Sequence, residues 1–181
     1  MLSYDYAKRT GVATITWDRF GELCRDLAVR AAAYAPDAVV GIARGGWLPA
    51  TVLACMLRCE LYPMRLSRRE GDRLVHETPQ ILLPPPAQVA GRRVLLVDEI
   101  ADTGVTLALG VRTLKRAGAA DLRTAVLVCH SWASPRPDFV ALDTDAFVIN
   151  PWEREIVEGG VVMPHPEAAI ALAAADPGRR K

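Results

Sequence analysis

The stretch VLLVDEIADTGVTL, residues 94–107, constrains the fold more than any other part of the chain. It begins as a continuous apolar run, the pattern of a parallel strand that is covered on both faces. Two adjacent carboxylates, Asp98 and Glu99, follow at the carboxyl end of that strand, where open α/β sheets place their ligands. Asp102 and a glycine-containing turn then lead into a predicted helix. The stretch therefore predicts a strand, a ligand-binding turn and a helix in succession.

The turn after Asp102 has the composition of a phosphate cradle. Gly104 permits tight backbone curvature, so the N–H groups of Thr103, Val105 and Thr106 can converge on an anion. The two threonines add hydroxyl donors, and the helix N-terminus adds a partial positive charge. Neither GxxxxGK[ST] nor a GxGxxG after a strand occurs, which argues against an ordinary nucleotide triphosphatase and a dinucleotide-binding domain. A phosphate site beside carboxylates is what remains.

A second glycine-containing loop lies upstream, in VVGIARGGWLPA, residues 39–50. A short buried strand ends just before Arg44, and Pro49 suits the first turn of the helix that follows. Gly45 and Gly46 would let the backbone approach a ligand closely, while Arg44 offers a fixed cation. The alternative interpretation is an ordinary glycine turn before a helix.

The rest of the chain alternates strand-like and helix-like segments. The predicted strands are residues 38–42, 61–66, 93–97, 122–129, 139–142 and 146–149. The predicted helices are residues 20–34, 47–58, 106–116 and 167–175. This alternation predicts an α/β fold with a central, mainly parallel sheet flanked by helices. We expect residues 1–181 to form a single domain, with a core at about 14–130 and a small hood of short strands at about 131–163 plus the C-terminal helix.

Residues 67–88 show no clear periodicity, since a polar and basic part, SRREGDRLVHETPQ, precedes the proline-rich ILLPPPAQ. A segment of this length in a compact domain is usually functional or mobile. The cations Arg68, Arg69 and Arg73 suit a lid over a phosphate-rich ligand. A solvated loop is the alternative, and the sequence leaves the role of this segment open.

Composition and charge exclude several classes of protein. Apolar residues make up 51% of the chain, which argues against disorder, and the net charge of +1 gives no reason to expect a nucleic acid or a membrane as partner. The N-terminus lacks the apolar stretch of a signal peptide, and no segment approaches the roughly 20 apolar residues of a membrane span. The cysteines form no CxxC pair. We expect a soluble, cytoplasmic protein with reduced thiols.

An apolar strand, two acidic residues, two spacers and Asp-Thr-Gly-x-Thr resemble the signature of the type I phosphoribosyltransferases. The resemblance implies that Asp98 and Glu99 hold the ribose hydroxyls, directly or through water on Mg²⁺, and that Asp102 is the catalytic carboxylate near the base. The cradle for the 5-phosphate would be Thr103, Gly104, Val105 and Thr106. Arg44 and Gly45 would belong to the pyrophosphate loop, in which family members often have a non-proline cis peptide. Glu99 departs from the family, because many members have a second Asp there.

Residues 135–153 resemble the hood of the purine branch, in particular the xanthine–guanine and hypoxanthine enzymes. This similarity implies that Phe147 stacks on the base, that Val148 addresses the base edge through its backbone, and that Glu153 is a carboxylate on the magnesium side. Phe147 as a plain core aromatic is the alternative. Enzymes of this kind have a Lys after the fifth strand that donates to the 6-oxo group, and here Cys129 or His130 stands near that position. His130 is a candidate donor in its place, and the base stays open.

The resemblance implies a Mg²⁺-dependent glycosyltransferase that moves the 5-phosphoribosyl group from phosphoribosyl pyrophosphate to a nitrogenous base. A purine is the favoured base, with a role in purine salvage. One alternative is a non-catalytic regulator that senses phosphoribosyl pyrophosphate or a nucleotide. Another is a phosphoribosyltransferase for a different base. The family resemblance also implies a homo-oligomer, a dimer or a tetramer.

Overall fold

The computed structural model describes residues 8–70 and 73–175, with the backbone alone at 174 and 175. These residues divide into two compact units, a larger one at 23–144 and a smaller one that combines 8–22 with 145–175. The units do not coincide with the core and hood expected from the sequence, because residues 8–22 group with the C-terminal segment and residues 131–144 group with the sheet. Each unit is described by itself.

The elements follow one another in chain order. The strands are β1 (Val12–Thr14), β2 (Ala38–Ala43), β3 (Glu60–Ser67), β4 (Arg69–Glu70), β5 (Arg73–Leu74), β6 (Gln80–Leu83), β7 (Arg93–Ala101), β8 (Asp121–Cys129), β9 (Phe139–Asp143), β10 (Phe147–Ile149), β11 (Glu155–Glu158) and β12 (Val161–Pro164). The α-helices are α1 (Trp17–Ala32), α2 (Trp47–Leu57), α3 (Val105–Arg116) and α4 (Pro166–Ala175). In the described part of the chain, none of these helices combines the length and apolar character of a membrane span.

The larger unit contains a six-stranded sheet in the order β6-β3-β2-β7-β8-β9. Strands β3, β2, β7, β8 and β9 run parallel, and β6 joins the edge antiparallel to β3. From β2 the chain runs through α2 to β3, toward one edge of the sheet. From β7 it runs through α3 to β8, toward the opposite edge. The strand order therefore reverses between β2 and β7. In open α/β sheets, ligands bind outside the carboxyl ends of the strands at such a reversal.

The central strand β7 explains the apolar run in the sequence. Its residues 94–97 are fully buried. Val94 and Leu96 belong to the cluster that also contains Leu107 and Leu114 of α3. Because successive side chains of a strand point to opposite faces, Leu95 and Val97 face the other layer of the unit. Both faces of β7 are covered, so a strand without polar alternation is what this position requires.

The smaller unit is made of short elements. Strands β1 and β10 form a parallel pair, and β11 and β12 form an antiparallel hairpin. Helix α4 packs against β1. Trp17, Phe20 and Trp152 form an aromatic group, in which the Phe20 and Trp152 ring centroids are 5.3 Å apart in an edge-on arrangement.

The α/β class and the mainly parallel central sheet are confirmed, while several element bounds differ from the expectation. Strand β7 continues to Ala101 rather than ending at residue 97, because Asp98, Ile100 and Ala101 still pair with β8. The segment 67–88 is not wholly irregular, since β6 adds to the sheet through β3 and the two-residue strands β4 and β5 pair with each other. Strands β1, β11 and β12 were not expected from the sequence, because each spans only three or four residues.

Candidate active site

The loop after β2 lies directly against the acidic pair of β7. A Cβ atom placed on Gly45 would collide with the Glu99 carboxylate, and one placed on Gly46 would lie 2.7 Å from the Cα atom and the Oδ1 atom of Asp98. Only glycine fits in these two places without displacing the carboxylates. The Ala43–Arg44 peptide bond is cis, as the resemblance implied, and the Arg44 side chain is exposed. The two motifs, about 50 residues apart in sequence, therefore meet at the reversal of strand order.

The acidic pair is electrostatically unfavourable by itself. Asp98 is only 7% exposed. Burial raises the pKa of its carboxyl group well above the usual range, and the neighbouring Glu99 carboxylate raises it further. The backbone N–H of Glu99, which donates to Asp98 Oδ1 at 3.0 Å, acts in the opposite direction. A bound cation would relieve this strain, since positive charge favours the ionised form of a carboxylate.

The donor set fits a magnesium ion that is shared with a substrate. Among the described residues, no group of three or more His, Cys, Asp or Glu side chains is arranged to hold a metal. Asp98 and Glu99 instead form a pair. Mg²⁺ is usually held by one or two carboxylates together with substrate phosphates and water, rather than by a cage of protein ligands. The pair is therefore sufficient for a metal ion that arrives with a phosphate-rich ligand.

The turn before α3 has the geometry expected of an anion site. Gly104 adopts a positive φ of 83° and precedes the helix, and no side chain caps the helix N-terminus. The nearest candidate, the Thr103 hydroxyl, is 3.5 Å from the Val105 nitrogen, which makes that contact long and weak. Thr103 is exposed and Thr106 is half-buried. The first N–H groups of α3 and the two hydroxyls thus lie together at a helix N-terminus, a place where anions are favoured.

A loop that follows β8, residues 130–138, closes over this turn. The Ser134 backbone N–H donates to the Thr103 carbonyl oxygen at 3.1 Å. A Cβ on Gly104 would lie 2.7 Å from the Ser134 carbonyl oxygen, so Gly104 is required here for its close approach as well as its φ. The loop also contains a cis peptide bond between Ser134 and Pro135. Residues 130–138 therefore belong to the structure of the cradle.

Trp132 of this loop is a site residue that the sequence reasoning missed. Its indole N–H donates to Oδ1 of Asp102 at 3.0 Å. Both residues are half-buried. A tryptophan in a polar loop at the carboxyl end of a sheet strand was the available signal, but no pattern in the sequence connects it with a carboxylate 30 residues earlier.

Of the two roles left open for His130, a donor to the base and a structural residue, the structure favours the structural one. Its side chain is 1% exposed, and Nδ1 lies 2.6 Å from the Thr144 carbonyl oxygen. Because a carbonyl only accepts, Nδ1 carries the proton, and Nε2 of a neutral ring has none to give. Nε2 is buried and lacks a hydrogen-bond partner among the described residues. Cys129 is likewise fully buried, so neither residue replaces a lysine at the site.

The hood residues lie in the smaller unit. Phe147 is half-buried, with the guanidinium carbon of Arg9 5.5 Å from its ring centroid. Val148 is buried. Its two neighbours bond to the residues that flank β1: the Phe147 N–H donates to the Gly11 carbonyl oxygen, and the Ile15 N–H donates to the Ile149 carbonyl oxygen, each at 2.9 Å. Because alternate residues of a parallel strand bond to the same neighbour, the N–H and C=O of Val148 point to the edge of β10 that faces away from β1. Separately, the exposed Glu153 carboxylate accepts from the Asn150 side chain at 3.0 Å.

Comparison with known proteins identifies the family. The family model described as the phosphoribosyl transferase domain matches residues 16–162. A xanthine-guanine phosphoribosyltransferase of Gluconobacter oxydans (strain 621H) is 30% identical over 152 residues, which cover 78% of this chain and 84% of that protein. The chain belongs to the phosphoribosyltransferase family.

Other members of the phosphoribosyltransferase family support the fold. The crystal structure of a purine phosphoribosyltransferase from Pyrococcus horikoshii Ot3 matches with a TM-score of 0.72 and 30% identity, covering 81% of this chain and 97% of that one. An adenine phosphoribosyltransferase of Methylibium petroleiphilum is 32% identical over 100 residues, 51% of this chain and 51% of that protein. The type I phosphoribosyltransferase fold is therefore confirmed, while the roles of the individual site residues remain predictions.

Substitution of the two loop glycines should separate binding from stability. Gly45→Ala meets the mobile end of Glu99, so the protein should fold normally and bind phosphoribosyl pyrophosphate with Mg²⁺ about 10-fold more weakly. Gly46→Ala meets the backbone of Asp98 and Ile42, each at 2.7 Å, and should lower the free energy of unfolding by about 1–3 kcal/mol. Calorimetric titration and thermal melting measure the two effects.

Gly21→Ala is the matched control for both glycine variants. Gly21 lies inside α1, and a Cβ there meets no atom within 4 Å. The helix interior should gain about 0.5–1 kcal/mol from this change, with unaltered ligand binding. Wild-type affinity in Gly45→Ala would show that the contact with Glu99 does not form part of the ligand site.

Asp98→Asn should stabilise the protein in the absence of divalent metal, and increasingly so as the pH rises. The folded state holds the Asp98 proton more tightly than the unfolded chain does, because the pKa of Asp98 is raised on folding. Stability is therefore fully present below the unfolded-chain pKa of about 4 and is lost as the pH rises through the folded-state pKa. The Asn variant lacks this loss. Thermal melts from about pH 4 to about pH 8 with a chelator measure the difference in Tm.

Asp26→Asn serves as the control for this pH series, because Asp26 forms only an exposed i,i+4 pair with Arg30. Its Tm should track the wild type at every pH, as exposed pairs contribute little. A difference between Asp98→Asn and wild type that stays constant with pH would contradict the assignment of the buried charge.

Proposed function

We propose that this protein transfers the 5-phosphoribosyl group of phosphoribosyl pyrophosphate to a nitrogenous base, with a purine as the base, and releases pyrophosphate. The observation that carries the proposal is the packing of the 44–46 loop on Asp98 and Glu99, beside an uncapped helix N-terminus at Gly104. The larger unit thereby offers a cation, a carboxylate pair and a phosphate cradle at one edge of its sheet. The ligand that matches this set has two phosphorylated ends joined by a polyhydroxylated sugar.

The cradle would bind the 5-phosphate through the N–H groups of the turn from Thr103 to Thr106, aided by the partial positive charge of α3. The carboxylates of Asp98 and Glu99 would orient the ribose by accepting from its hydroxyl groups. Arg44 would bind the pyrophosphate and stabilise the negative charge that it acquires on leaving. Asp98 and Glu99 would hold Mg²⁺, which would supply additional charge neutralisation for this leaving group.

Asp102 would act at the junction of sugar and base. As pyrophosphate leaves, the sugar carbon gains positive character, and a nitrogen of the base forms the new bond to it. The Asp102 carboxylate stabilises that positive charge or takes the proton that the base nitrogen loses. Water must be excluded during this step, since a cation-like sugar otherwise hydrolyses. The arginines at Arg68, Arg69 and Arg73 fit a phosphate-directed lid for this purpose.

Phe147 and Val148 would recognise the base, in the roles that the family resemblance implies. An aromatic ring accepts any planar base by stacking. The outward N–H and C=O of Val148 offer one donor and one acceptor, a set that can pair with the edge of a purine. The residues after β8 supply no lysine for a 6-oxo group, and His130 is buried. Adenine and the 6-oxopurines are both candidates, because relatives named for each kind match the chain.

A panel of bases tests the proposal directly. The protein is incubated with phosphoribosyl pyrophosphate, Mg²⁺ and, in turn, adenine, guanine, hypoxanthine, xanthine and orotate, and pyrophosphate release is measured. Turnover with a purine supports the proposal, and turnover with orotate alone assigns a different base. Binding of phosphoribosyl pyrophosphate without turnover on any base would support a non-catalytic sensor instead.

Asp102→Asn should separate catalysis from ligand binding. The substitution keeps the shape of the side chain and removes its charge and its ability to take a proton. Turnover should fall by at least about 100-fold, the lower end of general acid–base contributions. Binding of phosphoribosyl pyrophosphate should change little, because the cradle and Arg44 remain. The exposed Asp26→Asn is the matched control and should turn over as the wild type does. A near wild-type rate in Asp102→Asn would remove Asp102 from the mechanism.

Phe147→Ala should weaken base binding by about 10-fold, through the loss of stacking and buried area, and leave the affinity for phosphoribosyl pyrophosphate unchanged. Separate KM values for the two substrates measure this. Val157→Ala, on the exposed hairpin, is the control for truncation of an apolar side chain in the same unit. Equal loss of affinity for both substrates would identify Phe147 as a packing residue.

A further inference from the structure

The loop of residues 130–138 brings an indole group to the carboxylate that the proposed reaction uses. Trp132 Nε1 donates to Asp102 Oδ1 at 3.0 Å, a normal length for an N–H···O hydrogen bond. Hydrogen bonds to charged acceptors are about twice as strong as those between neutral groups. A half-buried carboxylate at the end of a strand can rotate about its side-chain torsions, and this bond limits that rotation.

The indole ring is itself held in place by His130. The two rings are stacked, with centroids 4.7 Å apart and planes inclined by 20°. The His130 ring is buried and tied through Nδ1 to the Thr144 carbonyl oxygen at 2.6 Å. The His130 backbone N–H donates to the Ala101 carbonyl oxygen at 3.1 Å. Among the described residues Nε2 of His130 has no hydrogen-bond partner, so the buried ring is held by its Nδ1 contact and by its stack with Trp132.

The far end of the loop is anchored as well. Arg136 donates twice to the Asp143 carboxylate, at 2.8 and 2.9 Å. Asp138 accepts from the backbone and the hydroxyl of Thr124 and from Arg123, each at 2.8 Å. Partial burial raises the pKa of Asp138, but these hydrogen bonds together outweigh it, so the pKa is lower than usual. The loop is therefore fixed to β8 and β9. Trp132 lies in sequence between His130 and Arg136, whose side chains are both held by hydrogen bonds.

We propose that Trp132 is a positioning residue for Asp102: its indole N–H, held by the stack on His130, orients the Asp102 carboxylate toward the junction of sugar and base. The inference rests on the proposed transfer reaction, in which Asp102 acts. It assigns to the loop after β8 a role in catalysis through Asp102 rather than in direct recognition of the base. The competing interpretation is that Trp132 only fills space between the loop and the sheet.

Nuclear magnetic resonance of the indole groups tests the hydrogen bond without turnover. The chain contains four tryptophans, and Trp132→Phe identifies the Nε1–H signal that belongs to Trp132. In Asp102→Ala that signal should move and its hydrogen exchange should accelerate, because the acceptor is gone. The signal of Trp17, which lies in the smaller unit, is the internal control and should stay in place. An unchanged Trp132 signal in Asp102→Ala would overturn the inference.

A double-mutant cycle tests whether Trp132 acts through Asp102. Trp132→Phe keeps an aromatic ring on His130 and removes only the N–H donor. We expect turnover to fall by about 10- to 100-fold, the loss associated with a hydrogen bond to a charged group, while KM for phosphoribosyl pyrophosphate stays within about twofold. In the Asp102→Asn background the same change should cause no further loss, since proton transfer is already absent. Additive losses would show a purely structural role and would overturn the inference.

Three further variants serve as controls for the cycle. Trp17→Phe makes the same chemical change at an indole that is 58% exposed, and it should leave turnover unaltered. His130→Phe retains a ring under Trp132 and should retain most of the activity, whereas His130→Ala should resemble Trp132→Phe in lowering turnover without raising KM.

The outcomes distinguish this inference from the function on which it rests. If no base supports pyrophosphate release although the Trp132 signal responds to Asp102→Ala, the transfer reaction fails and the catalytic role of Trp132 fails with it. If transfer proceeds and the effects of Trp132→Phe and Asp102→Asn add, the inference alone fails.

Discussion

The contact of a glycine loop with two adjacent carboxylates, the buried Asp98 and the half-buried Glu99, is the constraint on which the geometry at this edge of the larger unit depends. Strands β2 and β7 pair in a register that matches Gly41 with Val97, and this register brings Gly45 and Gly46 beside Glu99 and Asp98. A shift by one residue would exchange the faces of Asp98 and Glu99 and bring an apolar neighbour, Val97 or Ile100, toward the loop. The fully covered strand β7 holds that register, so the apolar core determines the geometry of a polar site at its edge.

The acidic pair lowers the stability of the folded protein at a position that is suited to hold a cation. A buried carboxyl group whose pKa is raised opposes folding at neutral pH, and a second carboxylate beside it adds to the penalty. Two apolar side chains in these positions would make the folded protein more stable but could not hold a cation. A cation bound together with a phosphate ligand would offset this penalty. Its binding at this pair would then be coupled to proton release.

The sequence was sufficient for the parts of the protein whose physics is local. The apolar run of β7, the acidic pair and the Asp-Thr-Gly-x-Thr turn are contiguous, and they predicted a strand, a turn and a helix in succession, while the alternation of strands and helices predicted the fold class. What could not be predicted depends on contacts between distant residues. The packing of Gly45 on Glu99, the bond from Trp132 to Asp102 and the burial of His130 all arise from tertiary structure. Short strands such as β1 were missed because three residues carry no usable periodicity.

The loop after β8 illustrates why residue types near an expected position are weak guides to a role. His130 stood near the place of a base-binding lysine, but burial and the Thr144 carbonyl leave its ring no donor for a ligand. The neighbouring Trp132 donates to the Asp102 carboxylate, and an indole offers a donor without a charge. A neutral donor can hold Asp102 in place without forming the ion pair that a lysine at this point would form. An ion pair would favour the ionised carboxylate more strongly and oppose proton uptake from the base. For a residue proposed to accept a proton, a neutral indole is therefore a better partner than a cation.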